Sequence, residues 1–197
     1  MKLARIRTLA ALLMAVALAG CAASKNPLGP VSDAVGEPRL AGVWTSEANA
    51  ADWEFLHILP SDDGKRLQIV AVNHGDKSWA VLDGSVTAVG QRRFVNLRLV
   101  AADAGLLADV DKTGRKDSHP YSFAAIAFDG DDSLTIGYPV EALYQAVKDG
   151  HLTGETSGDY DVFIADSSAN IAAVLGALDD ATLFKDPKRY RRLKATP

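Results

Sequence analysis

The sequence contains one cysteine, Cys21, among its 197 residues. A single cysteine cannot form an intramolecular disulfide, so the folded chain has to be stable without that cross-link. A chain of this length can bury a sizeable core on its own. The apolar fraction of 48% and the charged fraction of 23% are those of an ordinary globular protein. We therefore predict one domain that is stabilised by its hydrophobic core.

An excess of positive charge is lacking as well. Lysine and arginine number 21 against 25 aspartate and glutamate residues, which gives a formal net charge of −4. Lys2, Arg5 and Arg7 are the only charged residues before Cys21, so a chain without residues 1–20 has a net charge of −7. An acidic chain without a dense basic face is poorly suited to phosphate backbones, and we expect no nucleic-acid partner.

The motifs of common enzyme and metal sites are also absent from the sequence. It contains neither GxSxG nor SxxK, and no phosphate-binding glycine loop. The segment DVDKTG at 109–114 resembles the start of an EF-hand calcium loop, but its twelfth position is Pro120 instead of the required glutamate. No two histidines have a ligand spacing such as HxH or HExxH; the four are His57, His74, His119 and His151. We therefore predict no catalytic residue, no cofactor and no metal site, with an unrecognised hydrolase as an alternative.

The N-terminal segment does have a distinctive pattern. MKLARIR is basic, and TLAALLMAVALAG then carries no charge up to Cys21. A basic start, about a dozen apolar residues and small residues at the end are typical of a secretory signal peptide. The apolar stretch is shorter than the roughly 20 residues that a membrane-spanning helix needs. We predict that residues 1–20 are a signal peptide.

The sequence Leu18-Ala19-Gly20-Cys21 resembles the lipobox of bacterial lipoproteins, and the chain is similar to uncharacterised lipoproteins of Gram-negative bacteria. The resemblance implies that Cys21 receives a diacylglyceryl group, that the chain is cut before it, and that the new amino terminus is acylated. Several acyl chains give stable membrane anchoring, at about 0.8 kcal/mol per buried CH₂. Lipidation would also leave no thiol for catalysis or metal binding. Ala22 in place of aspartate implies, by enterobacterial sorting, an outer-membrane protein of the cell envelope that faces the periplasm.

Residues 22–38 are rich in proline, glycine and small polar side chains, a composition typical of a linker. The predicted organisation is therefore a signal peptide over 1–20, a lipidated tether over 21–38 and a single β-rich domain over 39–197. Within that domain, RFVNLRLVA alternates cleanly. Val95, Leu97 and Leu99 lie on one face and Asn96 and Arg98 on the other, as in a half-buried antiparallel strand.

The period changes in the last third of the chain. PVEALYQAVKDG, bounded by Pro139 and Gly150, predicts one helix, and DSSANIAAVLGALDD, capped by Asp166 or Ser167, predicts a second. The basic end TLFKDPKRYRRLK is expected to be solvated, with Phe184 and Tyr190 packed against the domain. The predicted fold class is α+β, an antiparallel β-rich sheet or partial barrel of about 7–8 strands with two helices in the C-terminal third.

Gly42-Val43-Trp44, at the start of the first predicted strand, is similar to the GxW motif that opens the lipocalin barrel. Trp44 is therefore a candidate ligand-contacting or core residue. The leading interpretation is a non-catalytic, lipid-anchored envelope protein with a binding or structural role towards an envelope protein or an apolar ligand. A lipocalin-like carrier of a hydrophobic molecule is the alternative. It requires an apolar cavity of at least about 300 Å³ near Trp44.

Overall fold

The computed structural model describes residues 22–46, 54–75, 77–105, 120–158 and 160–194. These residues form eleven strands, three α-helices and two 3₁₀ turns. The strands are β1 (Ala22–Ser24), β2 (Gly42–Ser46), β3 (Glu54–Pro60), β4 (Leu67–Asn73), β5 (Ser78–Val89), β6 (Arg92–Ala102), β7 (Tyr121–Asp129), β8 (Ser133–Gly137), β9 (Gly154–Ser157), β10 (Asp161–Ile164) and β11 (Lys188–Arg192). The helices are α1 (Val140–Lys148), α2 (Ser168–Ala177) and α3 (Asp180–Leu183), and the 3₁₀ turns are Val31–Asp33 and Pro38–Leu40.

Eight of the strands close into an antiparallel barrel. Around the barrel the order is β2, β3, β4, β5, β6, β7, β8 and β11, and β11 pairs again with β2. The pairing of β5 with β6 shifts register between Val81 and Leu82, an irregularity of the kind that bends strands in barrels. The predicted α+β class with an antiparallel β-rich sheet is confirmed, and the barrel is closed.

Alternation of side chains along the strands separates the barrel interior from its outer wall. Val95 and Leu97 of β6 face inwards and belong to the same buried cluster as Trp44, as the sequence pattern predicts. On β3, Leu56 and Ile58 are likewise buried in this cluster. The period-2 pattern therefore identifies the inner faces of these strands correctly.

The C-terminal segment is predicted from its charge to be a solvated end. In the structure, residues 188–192 of this segment form β11, the strand that closes the barrel. Arg189 and Arg191 are exposed, whereas Tyr190 is fully buried in the interior. The packing predicted for Tyr190 is confirmed. The charged sequence KRYRR is a strand because β2 and β8 offer backbone partners on both of its sides.

The tether predicted over 21–38 is also wrong for its described part, which packs against the domain. Ala22, Ala23 and Ser24 are all buried, and β1 lies parallel to β10. Further along, the amide of Leu28 donates to Asn96 Oδ1 at 2.8 Å. A segment rich in proline and glycine has little regular structure of its own, but its remaining amides can bond to groups elsewhere in the domain.

The helices cover the outer face of β6 and β7 and form a second core there. Phe94 and Phe123 point outwards from the barrel and pack in one cluster with Leu143 of α1 and Leu175 of α2. Both predicted helices are confirmed. The N-cap of α2 is Ser167, which is one of the two residues predicted for that position. Helix α3 was not predicted. Across the described residues, no helix has the length and apolar character needed to cross a membrane.

Candidate binding site at the barrel mouth

The barrel has two different ends. At the closed end, β2 begins directly after the 3₁₀ turn Pro38–Leu40. The opposite end, here called the mouth, is where β2 and β4 finish and where β3 and β11 begin.

Trp44 lies in the interior and is held by groups from the closed end. Its side chain is fully buried, and its Nε1 donates to the carbonyl oxygen of Leu40 at 2.8 Å. The guanidinium of Arg192 stacks on the indole, 4.3 Å from the ring centroid, and also donates to the carbonyl oxygens of Ala41 and Arg39. A cation over the indole face is a favourable arrangement. Of the two roles predicted for Trp44, the structure places it in the core.

The interior around Trp44 is filled by side chains. A cavity leaves accessible surface on the residues that line it, and Trp44, Val86, Leu134 and Tyr190 have none. At these residues there is no room for the apolar cavity of about 300 Å³ that a preformed carrier site near Trp44 would need.

Charged and polar side chains replace apolar ones at the mouth. Glu54 begins β3 and shares the inward face of Leu56 and Ile58, and it is only 5% exposed. Its carboxylate accepts a hydrogen bond from Nζ of Lys188 at 3.0 Å. Asn73, opposite Glu54 on β4, is buried as well. The apolar interior therefore ends in a polar layer with an ion pair whose carboxylate is buried and whose ammonium is partly exposed.

Two tyrosines complete this layer. The hydroxyl of Tyr190 is buried and makes no hydrogen bond of good geometry among the described residues, although the Glu54 carboxylate lies close to it as a possible acceptor. Burial raises the pKa of Tyr190, and the nearby Glu54 carboxylate and Tyr138 raise it further. Burial also raises the pKa of Tyr138, with a smaller contribution from Glu54. Both phenols therefore stay protonated at physiological pH and can donate hydrogen bonds.

Neither buried phenol is suited to act as a general base near neutral pH. A general base works best with a pKa close to the working pH, and burial moves both phenols away from that range. A buried hydroxyl without a well-formed hydrogen bond is uncommon and calls for an explanation, such as a ligand that supplies a better-placed acceptor. We define Glu54, Asn73, Tyr138, Lys188 and Tyr190 as the mouth layer.

A small cavity of about 60 Å³ lies on the outer wall of the barrel, apart from the mouth layer. Val31 of the N-terminal segment lines it together with side chains of β4, β5 and β6, among them Asp83, Asn96 and Arg98. A space of this size holds a few water molecules.

The residues singled out from the sequence do not form a common site in the part of the chain that is described. Cys21, His119 and the segment 109–114 lie outside the described residues. His57 on β3, His74 after β4 and His151 after α1 are all exposed and lie on separate elements. Within the described ranges, no three potential ligands among histidine, cysteine, aspartate and glutamate are grouped for a metal ion. These three histidines do not form the cluster that the hydrolase alternative needs.

Sequence reasoning predicted that Tyr190 packs against the domain, but it did not bring the residues of the mouth layer together. Glu54 and Lys188 are 134 positions apart, so their pairing leaves no local pattern. The one available signal was the alternation Lys188, Tyr190, Arg192, which places these side chains on one face of a strand.

Comparison with known proteins does not assign the chain to a family. The chain matches no family model, no curated protein and no solved structure. The candidate site therefore depends on the geometry of this chain alone.

Proposed function

We propose that this protein is a lipid-anchored component of the bacterial cell envelope whose barrel binds a ligand at its mouth without catalysing a reaction. The lipobox-like sequence ending at Cys21 supports the anchor, and Ala22 supports the outer membrane as its location. The observation that carries the binding role is the buried hydroxyl of Tyr190, which makes no hydrogen bond of good geometry and lies next to the pair of Glu54 and Lys188. A ligand with a hydrogen-bond-accepting group would satisfy this hydroxyl once the side chains that cover Tyr190 move aside, since the residue has no accessible surface in the empty barrel.

Replacing Cys21 with alanine is expected to abolish lipid attachment. The unaltered protein should incorporate an alkyne analogue of palmitate and sediment with membranes, because acyl chains on its mature N-terminus enter the bilayer. The Cys21→Ala protein should remain unlabelled and uncut. Ala22→Ser is the matched control, since it keeps the cysteine and a small residue after it in the buried strand, and it should be labelled and should sediment like the unaltered protein. Labelling and membrane retention of the Cys21→Ala protein would refute the anchor.

Replacing Tyr190 with phenylalanine is expected to stabilise the empty protein and to weaken ligand binding. The substitution removes a buried hydroxyl that makes no hydrogen bond of good geometry and keeps the ring, so the free energy of unfolding should rise by about 1 kcal/mol. Native mass spectrometry of protein purified from its own membranes should show a bound small molecule whose occupancy falls several-fold in Tyr190→Phe. Tyr160→Phe, on an exposed tyrosine, is the matched control and should change neither quantity. A loss of stability in Tyr190→Phe, or equal occupancy in all three proteins, would argue against the site.

A lipocalin-like carrier is the second candidate. The closed eight-stranded barrel with Trp44 on its first strand favours it. The side chains packed around Trp44 would have to move apart to admit an apolar molecule. In the same mass spectra, this candidate predicts a lipid whose occupancy does not depend on the Tyr190 hydroxyl.

A further inference from the structure

The N-terminal end of the described chain is fixed to the domain from its first residue. In β1, Ala22 is 7% exposed, Ala23 is 4% exposed and Ser24 is fully buried. Ala22 lies in register with Val162 of β10, and the amide of Lys25 donates to the carbonyl oxygen of Ile164 at 2.9 Å. The chain is therefore held on the barrel side directly after Cys21.

This attachment leaves little length between a lipid on Cys21 and the folded domain. Consecutive Cα atoms lie about 3.8 Å apart, so Cys21 is within one residue of the buried strand. An extended tether over residues 22–38 could have held the domain several nanometres from the bilayer. The docked segment instead requires the domain surface next to Ala22 to lie against the membrane.

The surface next to Ala22 carries a pair of aromatic residues, the exposed Tyr160 and the half-buried Tyr144. Because β1 and β10 are parallel, Tyr160, which directly precedes β10, lies at the same end of the small sheet as Ala22. Tyr160 is 47% exposed and has a φ of 74°, which is uncommon for a residue other than glycine. Its ring meets that of Tyr144 edge-on, with 5.5 Å between the centroids.

Two lysines flank this pair. Nζ of Lys148 lies 5.5 Å from the centroid of the Tyr144 ring. Lys185 is exposed and lies near Tyr160, while its ammonium pairs with the carboxylate of Glu141. Tyrosine is enriched where membranes meet water because its ring is apolar and its hydroxyl is polar, and lysine attracts anionic headgroups. We call Tyr144, Tyr160, Lys148 and Lys185 the tyrosine patch.

We propose that the tyrosine patch rests in the headgroup region of the membrane that holds the acyl chains of Cys21. The inference depends on the proposed lipid anchor. This contact would give the anchored barrel a single orientation. The side of the barrel formed by β7 and β8, which lies beside β1, would face the bilayer. The strand order puts β3 and β4 on the opposite wall of the barrel, where Gln68 is exposed and faces away from the membrane.

A site-specific fluorescent label tests this orientation. Since lipidation consumes the thiol of Cys21, a second cysteine introduced by Tyr160→Cys or Lys185→Cys can be labelled alone with an environment-sensitive NBD dye. Gln68→Cys is the matched control. Each acylated protein is reconstituted into vesicles of phosphatidylethanolamine and phosphatidylglycerol with and without spin-labelled lipid. We expect blue-shifted emission and several-fold stronger quenching at positions 160 and 185 than at position 68.

The outcomes separate the orientation from the anchor. Mass spectrometry of the N-terminal peptide in the same samples reports whether Cys21 is acylated. If it is acylated and the labels at positions 160 and 185 are quenched no more than the label at position 68, the tyrosine patch does not contact the membrane and only this inference fails. If Cys21 carries no lipid, the anchor and the orientation both fail. Using two label positions ensures that a local effect of losing the Tyr160 ring does not decide the result.

Discussion

Replacing Trp44 with alanine is expected to lower the free energy of unfolding by about 3–5 kcal/mol, the range for truncating a large buried aromatic residue. The indole is fully buried in the barrel, and the surrounding strands are tied to one another on both sides, so the wall cannot collapse onto the vacated space. The substitution also removes the ring on which Arg192 stacks and the donor that bonds to the carbonyl oxygen of Leu40. Urea unfolding followed by far-ultraviolet circular dichroism gives the difference directly.

Trp79 provides the matched control within the same chain. It lies on β5 and is 44% exposed, so Trp79→Ala should change the free energy of unfolding by no more than about 0.5 kcal/mol. Trp44→Phe keeps an apolar ring in the interior but loses the indole nitrogen, and should give an intermediate loss. Similar losses for Trp44→Ala and Trp79→Ala would contradict the packing described for the barrel interior.

Local pattern predicted those elements whose two faces meet different environments. Strand β6 was identified because Val95 and Leu97 alternate with polar residues, and the closed barrel buries the apolar set. The outer face of β6 was expected to meet solvent, yet Asn96 is only 2% exposed. Its side chain accepts from the amide of Leu28 and donates to Thr87 Oγ1, because the N-terminal segment covers this wall. Alternation predicts which way a side chain points, but it does not show what covers it.

Strand β11 was missed because its own composition does not require a strand. Only Tyr190 in KRYRR is apolar enough to suggest burial, and four basic residues surround it. The strand is stabilised by backbone bonds to β2 and β8 and by partners for its inward-facing charges, Glu54 for Lys188 and the Trp44 ring for Arg192. Each of these partners lies far away in the sequence. The mouth layer was unpredictable for the same reason, since β11 supplies two of its members.

Replacing Lys188 is expected to lower the free energy of unfolding more than replacing Glu54, although the two residues form one ion pair. The side chain of Glu54 is 6% exposed and that of Lys188 is 26% exposed, so the carboxylate is the group that water reaches less. Lys188→Met leaves this carboxylate buried without its partner, and the free energy of unfolding should fall by about 3 kcal/mol. Glu54→Gln keeps a hydrogen-bond acceptor and leaves an ammonium that can turn to solvent, so a loss of about 1 kcal/mol is expected.

The double variant separates a structural role from a binding role. Glu54→Gln with Lys188→Met removes both charges, and it should be more stable than Lys188→Met alone, since no buried charge is left unpaired. Lys185→Met, at the exposed pair with Glu141, is the control and should cost less than about 0.5 kcal/mol. One outcome is that the double variant regains most of the stability of the original protein but retains less of the molecule seen by native mass spectrometry. That result would show that the ion pair contributes to ligand binding. A double variant as unstable as Lys188→Met, with ligand occupancy unchanged, would instead make the pair part of the barrel framework and remove it from the proposed site.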